Sequence, residues 1–192
     1  LTSLMTADGK LQWDPPPGDW VIYRFGHTLL GEKGQPAQWQ ASGFECDKMN
    51  PEAVSFHLDH VIGEIKSHLG SLVGTTLDHI YFDSYEENDA TWTPKMREEF
   101  ASRRGYDILP YLATFAGRTI EGREQTDRFR TDFYTTIQDL YRDVYFTIIA
   151  KKLKAANLHF LSEAYGGPWR VDEVLPMLTT IMGEFWTHDG TF

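Results

Sequence analysis

The chain has 192 residues and carries 18 Lys and Arg against 28 Asp and Glu, a formal net charge of −10. Apolar residues make up 41% and charged residues 24%, the proportions of a globular protein with a real core and not of a disordered chain. The acidic balance argues against nucleic acid as a partner, no apolar run approaches the roughly 20 residues of a membrane span, and a lone Cys46 excludes a disulfide framework or a Cys-rich zinc site.

Residues 1–42 read as the end of a β-domain plus a connector. The chain opens at Leu1 inside a polar stretch and is expected to be a piece of a longer polypeptide, so a missing leader says little about location. Trp13-Asp14-Pro15-Pro16-Pro17-Gly18 is a rigid turn, because its prolines fix φ and withhold donors. Asp19 to Gly26 alternates as a strand does, and the Gly-, Pro- and Gln-rich stretch from Gly31 to Gly43 is the connector.

A different rhythm runs through residues 43–192. Gly43-Phe44-Glu45-Cys46-Asp47 is a short apolar run, predicted as a first strand. Asn50-Pro51 then starts a helix with Val54, Leu58, Val61, Ile62, Ile65 and Leu69 on one face, and Gly70 stops it. Leu77 to Asp83 is the second strand. Thr93-Pro94 begins a helix that Gly105 ends, and a longer one carries Phe129, Phe133, Ile137, Leu140, Tyr141, Val144, Ile148 and Leu153 before Asn157. Leu158 to Glu163 is the third strand, Val171 to Leu178 a Pro-interrupted helix, and Thr180 to Phe185 the fourth strand. Alternation of this kind implies parallel strands joined by right-handed crossovers. The predicted class is α/β: a partial (β/α)8 TIM-type barrel of about four βα units, the N-terminal half of a catalytic barrel.

Each predicted strand ends in a carboxylate: Asp47, Asp83 with Glu86 just beyond, Glu163 and Glu184. Carboxyl ends of parallel strands form the ligand crevice, where converging acids serve proton transfer, a cation or a polyhydroxylated ligand. Asp47 has an equal structural reading as a cap for the following helix. Trp92, Tyr165, Trp169 and Trp186 stand just past strand tips, where aromatic faces can hold sugars, and His188 follows them. His57 and His60, at i and i+3, read as a solvated helix flank and not as metal ligands. Neither a phosphate loop nor a Gly-x-Ser-x-Gly elbow is present. Paired carboxylates among aromatics fit glycoside hydrolysis, which needs one protonated and one ionised carboxyl. A non-catalytic carbohydrate-binding or structural α/β module, and a retaining barrel glycosidase, are the alternatives.

The motifs Gly43-Phe44-Glu45-Cys46-Asp47-Lys48-Met49, Asp83-Ser84-Tyr85-Glu86 with Trp92-Thr93, Arg103-Arg104-Gly105-Tyr106-Asp107, Glu163-Ala164-Tyr165-Gly166 and Gly183-Glu184-Phe185-Trp186 occur in that order. Together they give a chain that resembles the glycoside hydrolase family 106 α-L-rhamnosidases. The resemblance implies a multidomain inverting glycosidase with a (β/α)8 catalytic barrel, two catalytic glutamates and an associated calcium ion. By motif, Glu86 looks like one catalytic glutamate and Glu184 like a second site glutamate, as catalyst or as calcium or sugar ligand. Family barrels continue past this length, so the remainder of the chain would be a partner in the site. A carbohydrate substrate and a periplasmic or extracellular location are the corresponding expectations.

Overall fold

The computed structural model describes residues 1–34, 37–88 and 90–184. Local chemistry sets the boundaries of its first long helix. In α1 (Pro51–Leu69) the Asn50 side chain accepts from the amides of Glu52 and Ala53, Pro51 occupies the first turn, and Gly70 ends the helix at φ 52°. Val54, Leu58 and Ile62, spaced by four, are the buried face.

After α1 the chain forms β1 (His79–Phe82), α2 (Met96–Arg104), a 3₁₀ segment (Leu109–Ala116) and α3 (Arg123–Leu140). A π-helical turn (Tyr141–Phe146) leads without a break into α4 (Thr147–Ala155). Asn157, at φ 57°, turns the chain into β2 (His159–Ser162), and a short α5 (Val171–Val174) precedes β3 (Thr180–Ile181). The strands lie parallel in the order β1-β2-β3, with His79 opposite His159, Phe82 opposite Ser162, and Ser162 opposite Ile181.

The core lies between the helices and one face of this sheet. Ile80 and Phe82 point toward it from β1, and Phe160 from β2, so Phe82 and Phe160 meet edge-on at 5.2 Å. Around them Phe100, Phe129, Tyr141 and Phe146 are fully buried. Apolar burial stabilises by roughly 25 cal/mol per Å², and these large rings supply much area per residue. Tyr81, between Ile80 and Phe82, points the other way and is 45% exposed. Among the described residues no helix is long and apolar enough to cross a membrane.

Two predicted strands are not formed. Gly43–Asp47 does not join the sheet, which has three strands among the described residues. Its backbone is taken by the connector instead, since the Gly34 amide donates to Gly43 O and the Glu45 amide to Glu32 O, and Phe44 is left 70% exposed. Asp19–Gly26 is irregular, with Trp20, Val21, Ile22 and Phe25 all exposed. Alternation there supplies a strand-like pattern without a neighbouring strand among the described residues to take up its hydrogen bonds.

Candidate functional site

A cavity of about 480 Å³ opens over the carboxyl ends of β1 and β2. Its acidic wall carries Asp83, Glu86 and Glu163, and Lys48, Tyr81, Tyr145 and one edge of Trp169 complete the part that matters for chemistry.

Tyr81 ties the two strand tips together. Its phenol lies 2.7 Å from Asp83 Oδ1 and 2.8 Å from Glu163 Oε1, and the Tyr165 phenol donates to the other oxygen, Glu163 Oε2, at 2.8 Å. Glu163 is 6% exposed, and the Tyr165 hydrogen, with the single Tyr81 hydrogen that it shares with Asp83, meets the need of a buried carboxylate for donors. Burial and the carboxylates Asp83 and Glu163 push the Tyr81 phenol well above its ordinary value. Burial and Glu163, with a further contribution from Glu184, act in the same direction on Tyr165. The acids at the ends of β1, β2 and β3 are therefore linked through tyrosines.

Glu86 sits on the loop after β1. It is exposed to the cavity, and Ser84 Oγ donates to its Oε1 at 2.9 Å while the Ser84 amide donates to Asp83 Oδ1 at 2.9 Å. Its neighbour Glu87 is committed elsewhere. The Lys48 ammonium, 8% exposed, bonds both Glu87 Oε1 and, at 2.7 Å, Glu45 Oε2, and it lies 5.9 Å from the Tyr85 ring and 5.8 Å from the Tyr145 ring. Burial opposes the charge on Lys48, but Tyr145 and the two carboxylates outweigh it and hold the ammonium above its ordinary value. Burial also raises Glu87, partly offset by Lys48.

The other residues singled out by sequence are dispersed. Asp47 is absent from the cavity wall, and both its oxygens are used locally: Oδ1 accepts from the Met49 amide at 3.0 Å and Oδ2 from Thr93 Oγ1 at 2.7 Å. Asp47 does not cap α1, whose cap is Asn50; it closes the turn before the helix and anchors Thr93. Trp92 stacks on His27 with ring centres 6.3 Å apart and does not line the cavity. Trp169 is 8% exposed, donates from Nε1 to Ala164 O at 3.2 Å and packs against Tyr85, Tyr141 and Phe146, so it is a core residue with one edge at the cavity and not an open platform. Glu184 is exposed beside Tyr165. Trp186 and His188 lie outside the described residues.

Sequence reasoning passed over Tyr81, Lys48 and Tyr145. The signal for Tyr81 was present, since a polar-tipped residue between two inward apolar ones points to the opposite face. Lys48 and Tyr145 come from segments nearly a hundred residues apart, and no local pattern joins them. His57, read as a solvated flank, lines the cavity. Among the described residues no three His, Cys, Asp or Glu side chains are arranged to hold a metal ion. Among the described residues, Asp83 and Glu163 are turned to phenols, and Glu45 and Glu87 to an ammonium.

The sequence profile described as alpha-L-rhamnosidase, of glycoside hydrolase family 106, matches residues 1–191. The chain belongs to this family. A curated relative from Formosa agariphila named "Putative beta-glucuronidase" is 40% identical over 192 residues, all of this chain and 16% of the relative. The solved rhamnosidase from Novosphingobium sp. PP1Y superposes with a TM-score of 0.79 at 31% identity, over 93% of this chain and 18% of that one. The chain thus spans about a fifth or less of the length of these two family relatives.

Proposed function

We propose that this chain forms the N-terminal half of a (β/α)8 catalytic barrel in an inverting α-L-rhamnosidase, with the remainder of a longer polypeptide completing the site. Family membership supplies the class, and the observation that carries the residue assignment is the convergence of Glu86, Asp83 and Glu163 in one cavity at the carboxyl ends of parallel strands. Glu86 is the general acid: it is exposed to the cavity, and Ser84 steadies one oxygen and leaves the other for the leaving group. Glu184 is the second site glutamate, suited to activating water across the sugar ring. Asp83 and Glu163, held by Tyr81, accept hydrogen bonds from sugar hydroxyls. Calcium enters no step of this reading.

Charge supports a neutral sugar over a uronate. Glu45, Asp83, Glu86, Glu87 and Glu163 line the cavity against Lys33 and Lys48, and Lys48 is already engaged by two carboxylates. A sugar carboxylate would enter a net-negative cleft.

The test is an assay of the full-length parent on aryl α-L-rhamnosides and aryl β-glucuronides, with proton NMR of the first-formed anomer. Rhamnoside cleavage with inversion is expected. Glu86→Gln should lower kcat about 10³-fold on substrates with poor leaving groups and far less on activated ones. A preference for glucuronides, or wild-type rates in Glu86→Gln on natural rhamnosides, overturns the assignment.

A further inference from the structure

Lys48 is a buried cation that the proposed chemistry does not use, and its surroundings are specific. An Asx turn aims it: Asp47 accepts from the Met49 amide through Oδ1, the Asn50 amide donates to Asp47 O at 3.1 Å, and Thr93 anchors the other oxygen of Asp47. The ammonium then spans three segments that the sequence keeps apart. These are its own turn through Glu45, the loop after β1 through Glu87 and the Tyr85 ring, and the π turn through the Tyr145 ring. Glu86 lies between Tyr85 and Glu87, so both of its chain neighbours rest against Lys48. A π turn places an extra residue per turn where it occurs, and here it brings Tyr145 to the cavity wall and Tyr141 to within 3.2 Å of the Tyr85 phenol.

We infer that Lys48 is a positioning residue, clamping the loop after β1 to the turn before α1 and to the π turn so that the Glu86 carboxyl is presented to the cavity. The inference rests on the proposed role of Glu86. With the ammonium gone, Glu45 and Glu87 face one another without a counterion, and the loop relaxes away from the turn. Glu86 keeps its chemistry and loses its placement.

The experiment uses the full-length parent, aryl α-L-rhamnosides of graded leaving-group acidity, and amide hydrogen exchange. Wild type and Glu86→Gln are measured first. Lys48→Met is then expected to lower kcat about 10²-fold on poor leaving groups, the loss typical of a misplacement near 1 Å, with KM little changed. The loss should shrink on activated substrates. On the Glu86→Gln background, Lys48→Met should add nothing, because both changes remove the same acid. Exchange of amides 83–88 should accelerate while those of α3 keep wild-type protection. Glu87→Gln, which leaves no charge unpaired, should repeat the pattern at a smaller fold-change. Wild-type rates in Lys48→Met, an equal loss on every substrate that adds to Glu86→Gln, or unchanged exchange at 83–88 would each overturn the inference. A wild type inactive on rhamnosides overturns the proposed function instead, and exchange at 83–88 still decides whether Lys48 holds the loop.

Discussion

The cavity wall holds its carboxylates in two contrasting ways. At the tips of β1 and β2, Asp83 and Glu163 are held by the neutral phenols of Tyr81 and Tyr165. A few residues along, Glu87 and Glu45 are held by a buried ammonium, Lys48. A phenol supplies one hydrogen and no charge, so the carboxylates it serves keep their full negative potential and stay able to accept from a ligand. An ammonium cancels charge, so the carboxylates it serves become structure. The comparison separates the acids by partner: those on phenols keep their charge, as the proposed sugar-binding role requires, and those on the lysine have it neutralised, as the proposed clamp on the Glu86 loop requires.

Three measurements would break or sharpen this contrast. The largest expected effect is on the ionic side. Lys48→Met should lower the free energy of local opening of the loop after β1 by about 3 kcal/mol, read from amide exchange at 83–88, because it leaves two carboxylates without their cation in a largely buried place. A loss under 0.5 kcal/mol would place Lys48 among surface charges. On the phenol side Tyr81→Phe should cost less, about 1 kcal/mol, since Tyr81 is 45% exposed and water can replace its hydrogen bonds. The same variant should raise KM more than it lowers kcat, because it disturbs Asp83 and Glu163 and leaves Glu86 in place.

The smallest effect is a pH response. The phenols of Tyr81 and Tyr165 are pushed up on folding by burial and by their carboxylate partners, and Lys48 is held up by its own partners despite its burial. A folded value above the unfolded one means a stabilisation complete below about pH 10 and lost as pH rises beyond it. The thermal midpoint should therefore be flat with respect to these groups from pH 7 to 9 and fall above pH 10. Tyr81→Phe should fall less steeply over the same range, and an identical slope would show that its phenol contributes nothing.

Much of the fold was legible because its signals are local. Asn50, Pro51 and Gly70 bound α1 through contacts within one turn, and Gly105 and Asn157 stop their helices through backbone conformations those residues tolerate. Ile80 and Phe82 alternate with Tyr81, which is enough to assign β1 and its two faces. The cavity wall was legible to the extent that strand ends carry acids: Asp83 and Glu163 follow from that rule, and Glu86 from its place three residues past Asp83.

What only the tertiary structure decided was which partner each polar group takes. Asp47 obeys the strand-end rule in sequence, yet Thr93, 46 residues on, draws it away from the cavity. Glu87 stands beside Glu86 in the chain and reads as a second negative charge acting on it, until Lys48, 39 residues earlier, takes its carboxylate. Trp169 has the composition of a sugar platform, but Tyr85, Tyr141 and Phe146 close around it. Propensity and periodicity act over a few residues and so determined the helices and β1, but not whether Asp19–Gly26 or Gly43–Asp47 would find a neighbouring strand. Hydrogen-bond and ion-pair partners are chosen by proximity after folding, across separations that leave no imprint on the local pattern.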